Sequence, residues 1–388
     1  MKIKSIKNFK IKNKRVLLRV DFNVPLKNGK VMDDYKMLRA YPTIKYLLKN
    51  NCQIFLVSHL GRPNGKKVKS LSLKPVFNHF KKQFKDSVFI GNPYSPGSFS
   101  PEEKHFRKKQ ILFLENLRFR KGEQENSVKF AKQLSKLADV YVNEAFAVCH
   151  RESASTVAIA KFLPAYSGLN LINEIKFLSE ALKPKKPALA ILGGAKIQTK
   201  IGLISKFEKK YDLILLGGGL ANSFLAALGY EIGASLGADS ESKLIARKSL
   251  DSKKIILPKD VVINKGAQNK KIENNIKICN KNEKVLDIGV QTQKLYCELI
   301  KHSKTIVWNG PLGYFENPKF RKGTLSIIKA IKSAPKNTLK IAGGGETLYV
   351  IQMAKAEKDF DFISTGGGAM LEFLQGKQLP GIKPLIIK

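Results

Sequence analysis

The chain has 388 residues, 43% of them hydrophobic, and 29 glycines; that length can bury substantial cores and favours two domains over one or three. Its formal net charge of +39 raises a nucleic-acid hypothesis, but the basic residues run from Lys2 to Lys388 instead of gathering in one arm, so the charge reads as a solvated surface and no nucleic-acid partner is expected. Cys52, Cys149, Cys279 and Cys297 are scattered, with no CxxC pair and no clustered histidines, which argues against a disulfide framework or a zinc site and suits a reducing cytoplasm.

The chain opens on MKIKSIKNFKIKNK, polar and lysine-rich, where no secretory signal is expected. Apolar runs come next at 15–22, 53–59, 111–114 and 139–143, with a helical stretch at 127–138. Further runs lie at 188–194, 212–219, 254–258, 304–310, 339–345 and 362–368, with a second helical stretch at 241–250. Near-continuous runs of this kind suit parallel strands covered on both faces, and their alternation with helices predicts doubly wound α/β domains. Between the halves, Leu171 to Leu182 predicts one amphipathic helix closed by Pro184 and Pro187. The expected division is therefore a domain over 1–170, a hinge helix over 171–186 and a second domain from 187. Leu213 to Tyr230 is uncharged and long enough to span a bilayer, yet Gly217, Gly218, Gly219, Gly229, Asn222 and Ser223 favour a strand, a glycine turn and a helix.

The halves differ in the residues that succeed their strands. The first offers Asp21 and Asn23, then His59 and Arg62, then Arg118, then His150 and Arg151. The second offers glycine clusters: GGAK (193–196), GGG (217–219), NGPLG (309–313), GGGET (343–347) and STGGG (364–368). Ligands of open parallel sheets sit at the carboxyl ends of the strands. Arginine forks match carboxylate and phosphate oxygens, so the first half reads as a site for a small anion. Any one of these arginines alone would read as a surface solubiliser; it is their recurrence after successive strands that counts. Glycine loops let backbone N–H groups approach phosphates, so the second half reads as a site for a larger phosphate-bearing ligand. No GxxxxGK[ST] occurs, HRE (150–152) has no DFG after it, and no GxGxxG succeeds the first strand, which sets aside P-loop, protein-kinase and dehydrogenase readings. Lys196 and Lys200, four apart after a glycine turn, are predicted on one face of a helix's first turns. Two ammonium groups there oppose the helix dipole unless an anion lies between them. Glu316 and Glu346 could serve a ribose or a metal.

With RVDFNVPL (19–26) and SHLGRP (58–63) the chain resembles phosphoglycerate kinase. The likeness continues in order through LENLRF (114–119), NEAFAVCHR (143–151), ILGGAKIQTK (191–200), LLGGGLANSFL (215–225), LDIG (286–289), VWNGPLGYFE (307–316), FRKGT (320–324), IAGGGETL (341–348) and STGGGAMLEFLQGKQLPG (364–381). The resemblance implies two Rossmann-like domains that close on each other, with the last segment, 369–388, returning from a nucleotide domain over 187–368 to the first. It implies that Asp21, Phe22, Asn23, Lys36, His59, Leu60, Gly61, Arg62, Arg118 and Arg151 bind 3-phosphoglycerate or 1,3-bisphosphoglycerate. Lys196, Lys200, Gly218, Asn309, Pro311, Glu316, Gly344, Gly345, Glu346 and Thr347 would bind ADP or ATP, with Glu346 at Mg²⁺. Lys36, Lys196, Lys200 and Gly367, with the amides of Gly366–Gly368, would serve the transferred phosphoryl group. A cytoplasmic monomer is expected.

The pattern has departures. Counted back from the PTI segment (42–44), the position of the family's catalytic arginine holds Lys36, and Arg39 stands three residues on. Lysine keeps the charge and loses the planar fork, so turnover could fall about 10–100-fold for one lost transition-state hydrogen bond. Glu346 stands where the family has aspartate, Glu144, Ala147 and Val148 depart from NDAFGT, and Glu152 sets an acid beside Arg151. These substitutions and the charge also motivate an alternative, a decayed scaffold that binds polyanions.

Overall fold

The computed structural model describes residues 1–91, 108–195, 197–272 and 277–387. Two compact units emerge, Met1–Lys176 with Gln378–Lys388, and Phe177–Lys377. Both are α/β, each built on a six-stranded parallel sheet.

The first unit contains strands β1 (Arg15–Arg19), β2 (Gln53–Val57), β3 (Val88–Ile90), β4 (Ile111–Leu114), β5 (Val140–Asn143) and β6 (Ala165–Ser167). Their spatial order is β3-β4-β2-β1-β5-β6, with every pairing parallel. β2 and β4 are buried along their whole length, as expected of central strands with helices on both faces. Helix α1 (Tyr35–Lys49) and helix α2 (Lys74–Lys81) bury Met37, Ile44, Val76 and Phe80 against this sheet. Phe80 stacks on Phe84 at 4.6 Å and meets Phe113 edge-on at 5.3 Å. Each such buried aromatic contributes roughly 1.5–3 kcal/mol of apolar burial. Helix α3 (Val128–Ser135) starts on the Ser127 cap, whose Oγ accepts from Phe130 N.

Helix α4 (Leu169–Ala181) begins two residues before the predicted start. Its first amides are taken by Glu144, which is 4% exposed and accepts from Asn170 N at 3.0 Å, Leu171 N at 3.1 Å and the Thr43 hydroxyl. Burial raises that carboxyl to about 7, against the pull of these hydrogen bonds. The compact units divide inside this helix, between Lys176 and Phe177.

The second unit contains β7 (Ala188–Leu192), helix α5 (Ile201–Glu208), β8 (Leu213–Leu216), helix α6 (Gly218–Ala227), helix α7 (Ser240–Arg247) and β9 (Ile255–Ile256). A small antiparallel sheet comes after them, of β10 (Asp260–Ile263), β11 (Asn269–Lys271) and β12 (Val285–Ile288). The chain continues through helix α8 (Val290–Lys301), β13 (Thr305–Asn309), helix α9 (Lys322–Ser333), β14 (Leu339–Gly343), helix α10 (Gly345–Met353), β15 (Phe362–Ser364) and helix α11 (Gly368–Leu374). The parallel sheet runs β9-β8-β7-β13-β14-β15, and its order reverses between β7 and β13. Leu213 to Tyr230 resolves into a strand, glycines and a helix, and no helix of the described residues is long and apolar enough to cross a membrane.

One local expectation is corrected. Lys200 does not lie in the first turns of a helix: α5 starts at Ile201, and Lys200 precedes it in a turn with φ −117° and ψ −15°. Its ammonium folds back onto the carbonyl oxygens of Gly193 and Asn309, so the strand ends place it. Lys196 lies outside the described residues.

Candidate active site

In the first unit, the ends of β1, β2 and β4 and the start of α1 converge. The register aligns Arg19 with Val57 and with Asn143, so the loops beyond these strands leave the sheet at one level. Asp21 Oδ2 accepts from Lys36 Nζ at 2.8 Å. Burial works against charging Asp21, but the cations Lys36 and Arg19 hold its carboxyl well below the usual carboxylate range. Asn23 Oδ1 accepts from Gly61 N at 3.0 Å, and the Gly61 carbonyl accepts from Arg118 Nη1 at 2.7 Å. Gly61 sits at φ +61°, with a Leu71 methyl carbon 2.6 Å from where a Cβ would stand; only glycine holds this turn without strain.

His59 is 3% exposed. Burial, Arg19, Arg118 and Lys36 push its pKa well down, against Asp21. Arg118 is 8% exposed and lowered to about 10 by burial and by its neighbours Arg19 and Arg151, so it stays a cation at neutral pH. Arg151 is exposed and donates from Nε to His150 Nε2 at 3.0 Å. Arg62 is exposed on the 58–63 loop. Phe22 and Leu60 are core side chains, so only their main chain is available to a ligand. Arg39 does not join Lys36; its Nε donates to Asn170 Oδ1 at 3.1 Å.

Beneath this cluster lie residues that no sequence pattern singles out. Arg19, 1% exposed, donates to Ser155 Oγ and to His59 Nδ1, and Ser155 Oγ donates to Glu123 Oε1. A charged residue in the motif RVDFNVPL gives no sequence signal of burial.

In the second unit the ends of β7, β8, β13 and β14 meet almost entirely through backbone. Gly193 N donates to Asn309 O at 3.0 Å, Gly194 N to Pro311 O at 2.8 Å, and Gly218 N to Leu312 O at 2.9 Å. A Cβ on Gly193 would stand 2.1 Å from Pro311 O, so side chains are shut out where these loops cross. Asn309 and Thr347 are buried and build the loops: Asn309 Nδ2 donates to Gly343 O at 2.7 Å, and Gly310 N donates to Thr347 Oγ1 at 2.8 Å. Gly344, at φ +103°, caps α10, which carries Gly345 and Glu346 in its first turn. Gly367, at φ +50°, caps α11.

Lys200 is 7% exposed, and burial lowers its ammonium to about 8 against the pull of Glu346. Both groups flank Gly194: a Cβ built there would stand 3.3 Å from Lys200 Nζ and 3.7 Å from Glu346 Oε2. Beside them opens a cavity of about 280 Å³, with Gly194, Gly218, Pro311, Glu316 and Glu346 among its lining. Leu236, Val285, Tyr314 and Phe315 add an apolar wall; Tyr314 and Phe315 fall in VWNGPLGYFE, whereas no sequence pattern marks Leu236 and Val285. Leu236 and Tyr314 are 65% and 50% exposed; large apolar groups left open at a cavity mark a binding surface.

The sequence profile of the family described as "Phosphoglycerate kinase" matches residues 6–377. The phosphoglycerate kinase of Dictyoglomus turgidum is 44% identical over 97% of this chain and 96% of its own. That of Buchnera aphidicola is 42% identical over 99% and 98%. Among solved structures, phosphoglycerate kinase from Coxiella burnetii has a TM-score of 0.85 at 37% identity, over 99% of each chain. The enzyme from Pyrococcus horikoshii has a TM-score of 0.88 at 29% identity, over 99% of this chain and 98% of its own.

Proposed function

The chain belongs to the phosphoglycerate kinase family, and from that premise we propose how its two clusters share the family's glycolytic reaction, the reversible phosphoryl transfer between 1,3-bisphosphoglycerate and ADP. The first cluster binds the phosphoglycerate end. Arg118, Lys36 and His59 sit around Asp21 and Asn23, and guanidinium and ammonium groups of this kind hold a carboxylate and a phosphate together. Arg62 and Arg151 complete the anion site from its exposed rim.

The second cluster binds the nucleotide. The apolar wall of Leu236, Val285, Tyr314 and Phe315 takes the base, Glu316 the ribose, and the glycine loops with Lys200 the phosphates. Among the described residues no three His, Cys, Asp or Glu converge into a metal cage. Mg²⁺ fits that arrangement, since it keeps several waters and is held by one or two carboxylates plus substrate phosphates. Glu346, exposed in the first turn of α10 beside Lys200, is the residue to hold it. When bound, the ion would offset the negative charge of the phosphates.

In the glycolytic direction an oxygen of the ADP β-phosphate attacks the acyl phosphorus. The bond from phosphorus to the acyl oxygen breaks, and 3-phosphoglycerate leaves as a carboxylate. No enzyme group is covalently modified; the protein positions both partners and neutralises the oxygens of the group in flight. Lys36 serves that group from the first cluster. Lys200, Lys196 and the amides near Gly367 serve it from the second. For Lys200 this requires the ammonium to leave the Gly193 and Asn309 carbonyls for the phosphate. In this reading the enzyme acts as a cytoplasmic monomer.

The observation that carries the reading is the pairing of an arginine, lysine and histidine cluster at one set of strand ends with a glycine-built cavity at the other. A coupled assay with 3-phosphoglycerate and MgATP tests it. Saturable turnover dependent on both substrates is expected, and none above background at millimolar concentrations would refute it.

A further inference from the structure

The cation deepest in the first cluster is Arg19, which no step of the transfer uses. A guanidinium that is 1% exposed is expensive to bury unless it is paired and hydrogen-bonded. Arg19 spends its donors on three partners: Nε on Ser155 Oγ at 2.9 Å, Nη1 on the Val20 carbonyl, and Nη2 on His59 Nδ1 at 3.2 Å. Behind it, Glu123, 2% exposed, accepts from Ser155 Oγ at 2.6 Å and from Ser155 N at 3.0 Å. Glu123, Ser155, Arg19 and His59 thus form one hydrogen-bonded row from the interior to the anion site.

Arginine carries five donors, has no acceptor and does not lose its proton in proteins. His59 Nδ1 must therefore offer its lone pair to Arg19. An imidazolium, which donates from both nitrogens, would set N–H against N–H. We propose that Arg19 is a positioning residue for the reaction, fixing His59 as a neutral imidazole that presents Nε2–H to bound phosphoglycerate. The inference rests on the substrate role given to His59 above.

The charged groups facing His59 agree with this state. Burial, Arg19, Arg118 and Lys36 all disfavour a second proton. Asp21 acts the other way, but its Oδ1 is 3.8 Å from Nδ1, beyond hydrogen-bond reach. A neutral donor gives direction without adding another charge to a pocket already rich in cations. A merely structural Arg19 would need only the Ser155 bond and would have no hold on the tautomer.

The test uses the full chain labelled with ¹⁵N, in which His59 is one of five histidines and is assigned by its loss in His59→Gln. Long-range ¹H–¹⁵N spectra should show an unprotonated Nδ1 and a protonated Nε2, unchanged from about pH 5.5 to 8.5. Adding 3-phosphoglycerate should shift Nε2. In Arg19→Lys, which keeps the charge and loses the fork, His59 should become a tautomer mixture. KM for 3-phosphoglycerate should rise about tenfold, more than kcat falls, and an acid limb should appear in the pH profile of kcat/KM. A proton on Nδ1, or an imidazolium at neutral pH, in the native chain overturns the proposal, and this reading does not depend on whether Arg19→Lys folds. So does an Arg19→Lys enzyme with native tautomer and pH profile. If the native tautomer is as stated but 3-phosphoglycerate leaves Nε2 unmoved, the substrate role of His59 fails instead, and the proposal with it.

Discussion

On similar sheets, the two units furnish their strand ends by opposite means. At the strand ends of the first, side chains do the work: Asp21, Lys36, His59 and Arg118 are interlocked, with Arg19 and Glu123 buried beneath. At the strand ends of the second, backbone meets backbone, and one lysine and one glutamate flank it. The difference teaches what each ligand demands. Under the proposed assignment, a small anion with one carboxylate and one phosphate offers few contacts, so each must be a fixed charge; a nucleotide offers a base, a ribose and a phosphate chain, so a shaped cavity and amides suffice. Fixed charges are costly to bury and sensitive to loss. A glycine lattice keeps its backbone shape when a flanking side chain is exchanged, but not when a Cβ is added to it.

Four experiments would break or sharpen this contrast. The largest effect is expected from Arg118→Met, which leaves the Gly61 carbonyl and the anion without their cation. kcat/KM for 3-phosphoglycerate should fall about 10²–10³-fold, as removal of one partner from a desolvated charge pair does. Calorimetric binding of MgADP should be unchanged; equal loss in both ligands would dissolve the division of labour.

Next comes Lys200→Met, with kcat expected to drop about 10²-fold for one lost charge-stabilising donor while 3-phosphoglycerate binding holds. The native enzyme offers a second readout of the same residue. Because burial lowers Lys200 to about 8, a rise in pH through that value removes its proton. kcat/KM for MgADP should then fall on the alkaline side with an apparent pKa near 8, and kcat at saturating nucleotide should fall later, since bound phosphate favours the charged form. A flat profile to pH 9 would contradict this role.

Lys36→Arg ranks third, with a predicted rise in kcat of about 3–10-fold, because the planar fork can hold Asp21 and the transferred group at once. A fall would mean that the 2.8 Å Lys36–Asp21 pair has become the better arrangement in this chain. The smallest effect is expected from Glu346→Asp: a change of a few-fold in the Mg²⁺ concentration for half-maximal rate, with little change in kcat. A tenfold loss of kcat would place Glu346 closer to the reacting atoms than a holder of the ion.

Much of the architecture is legible in the order of residues alone. The apolar run at Ile111–Leu114 bounds its strand correctly, Val140–Asn143 ends with its run, and strands such as Arg15–Arg19, Gln53–Val57 and Ala188–Leu192 stop short of theirs because the last residues leave the sheet as loops. Val88–Ile90 and Ala165–Ser167 are not legible: the equally short edge strand Phe362–Ser364 is marked by the glycine cluster after it, and these two lead into no such cluster. The order of the strands is not readable either, because pairing is set by long-range packing. In the site, motifs give the identities of Asp21, Asn23, His59 and Arg118, but not which side chains interlock. Arg19 illustrates the limit: nothing local distinguishes a buried arginine at a strand end from a solvated one. Lys200 illustrates another. A turn, 198–200, immediately precedes α5, and a four-residue spacing alone cannot tell a turn from a helix.

The pairing of the chain's extremes with one another sets an order of events in the cell. Lys4 N donates to Leu385 O, Ile387 N donates to Lys2 O, and Ser167 N donates to Lys4 O, so the unit begun first, Met1–Lys176, also requires Gln378–Lys388. About 200 residues separate these two pieces, which at roughly 5–20 residues per second is on the order of 10–40 s of translation. During that interval the first unit lacks its last strip, and what has emerged of it is open to chaperones and proteases. The second unit, Phe177–Lys377, is contiguous in sequence and has its whole chain before residues 378–388 are added. The half made first is the half finished last.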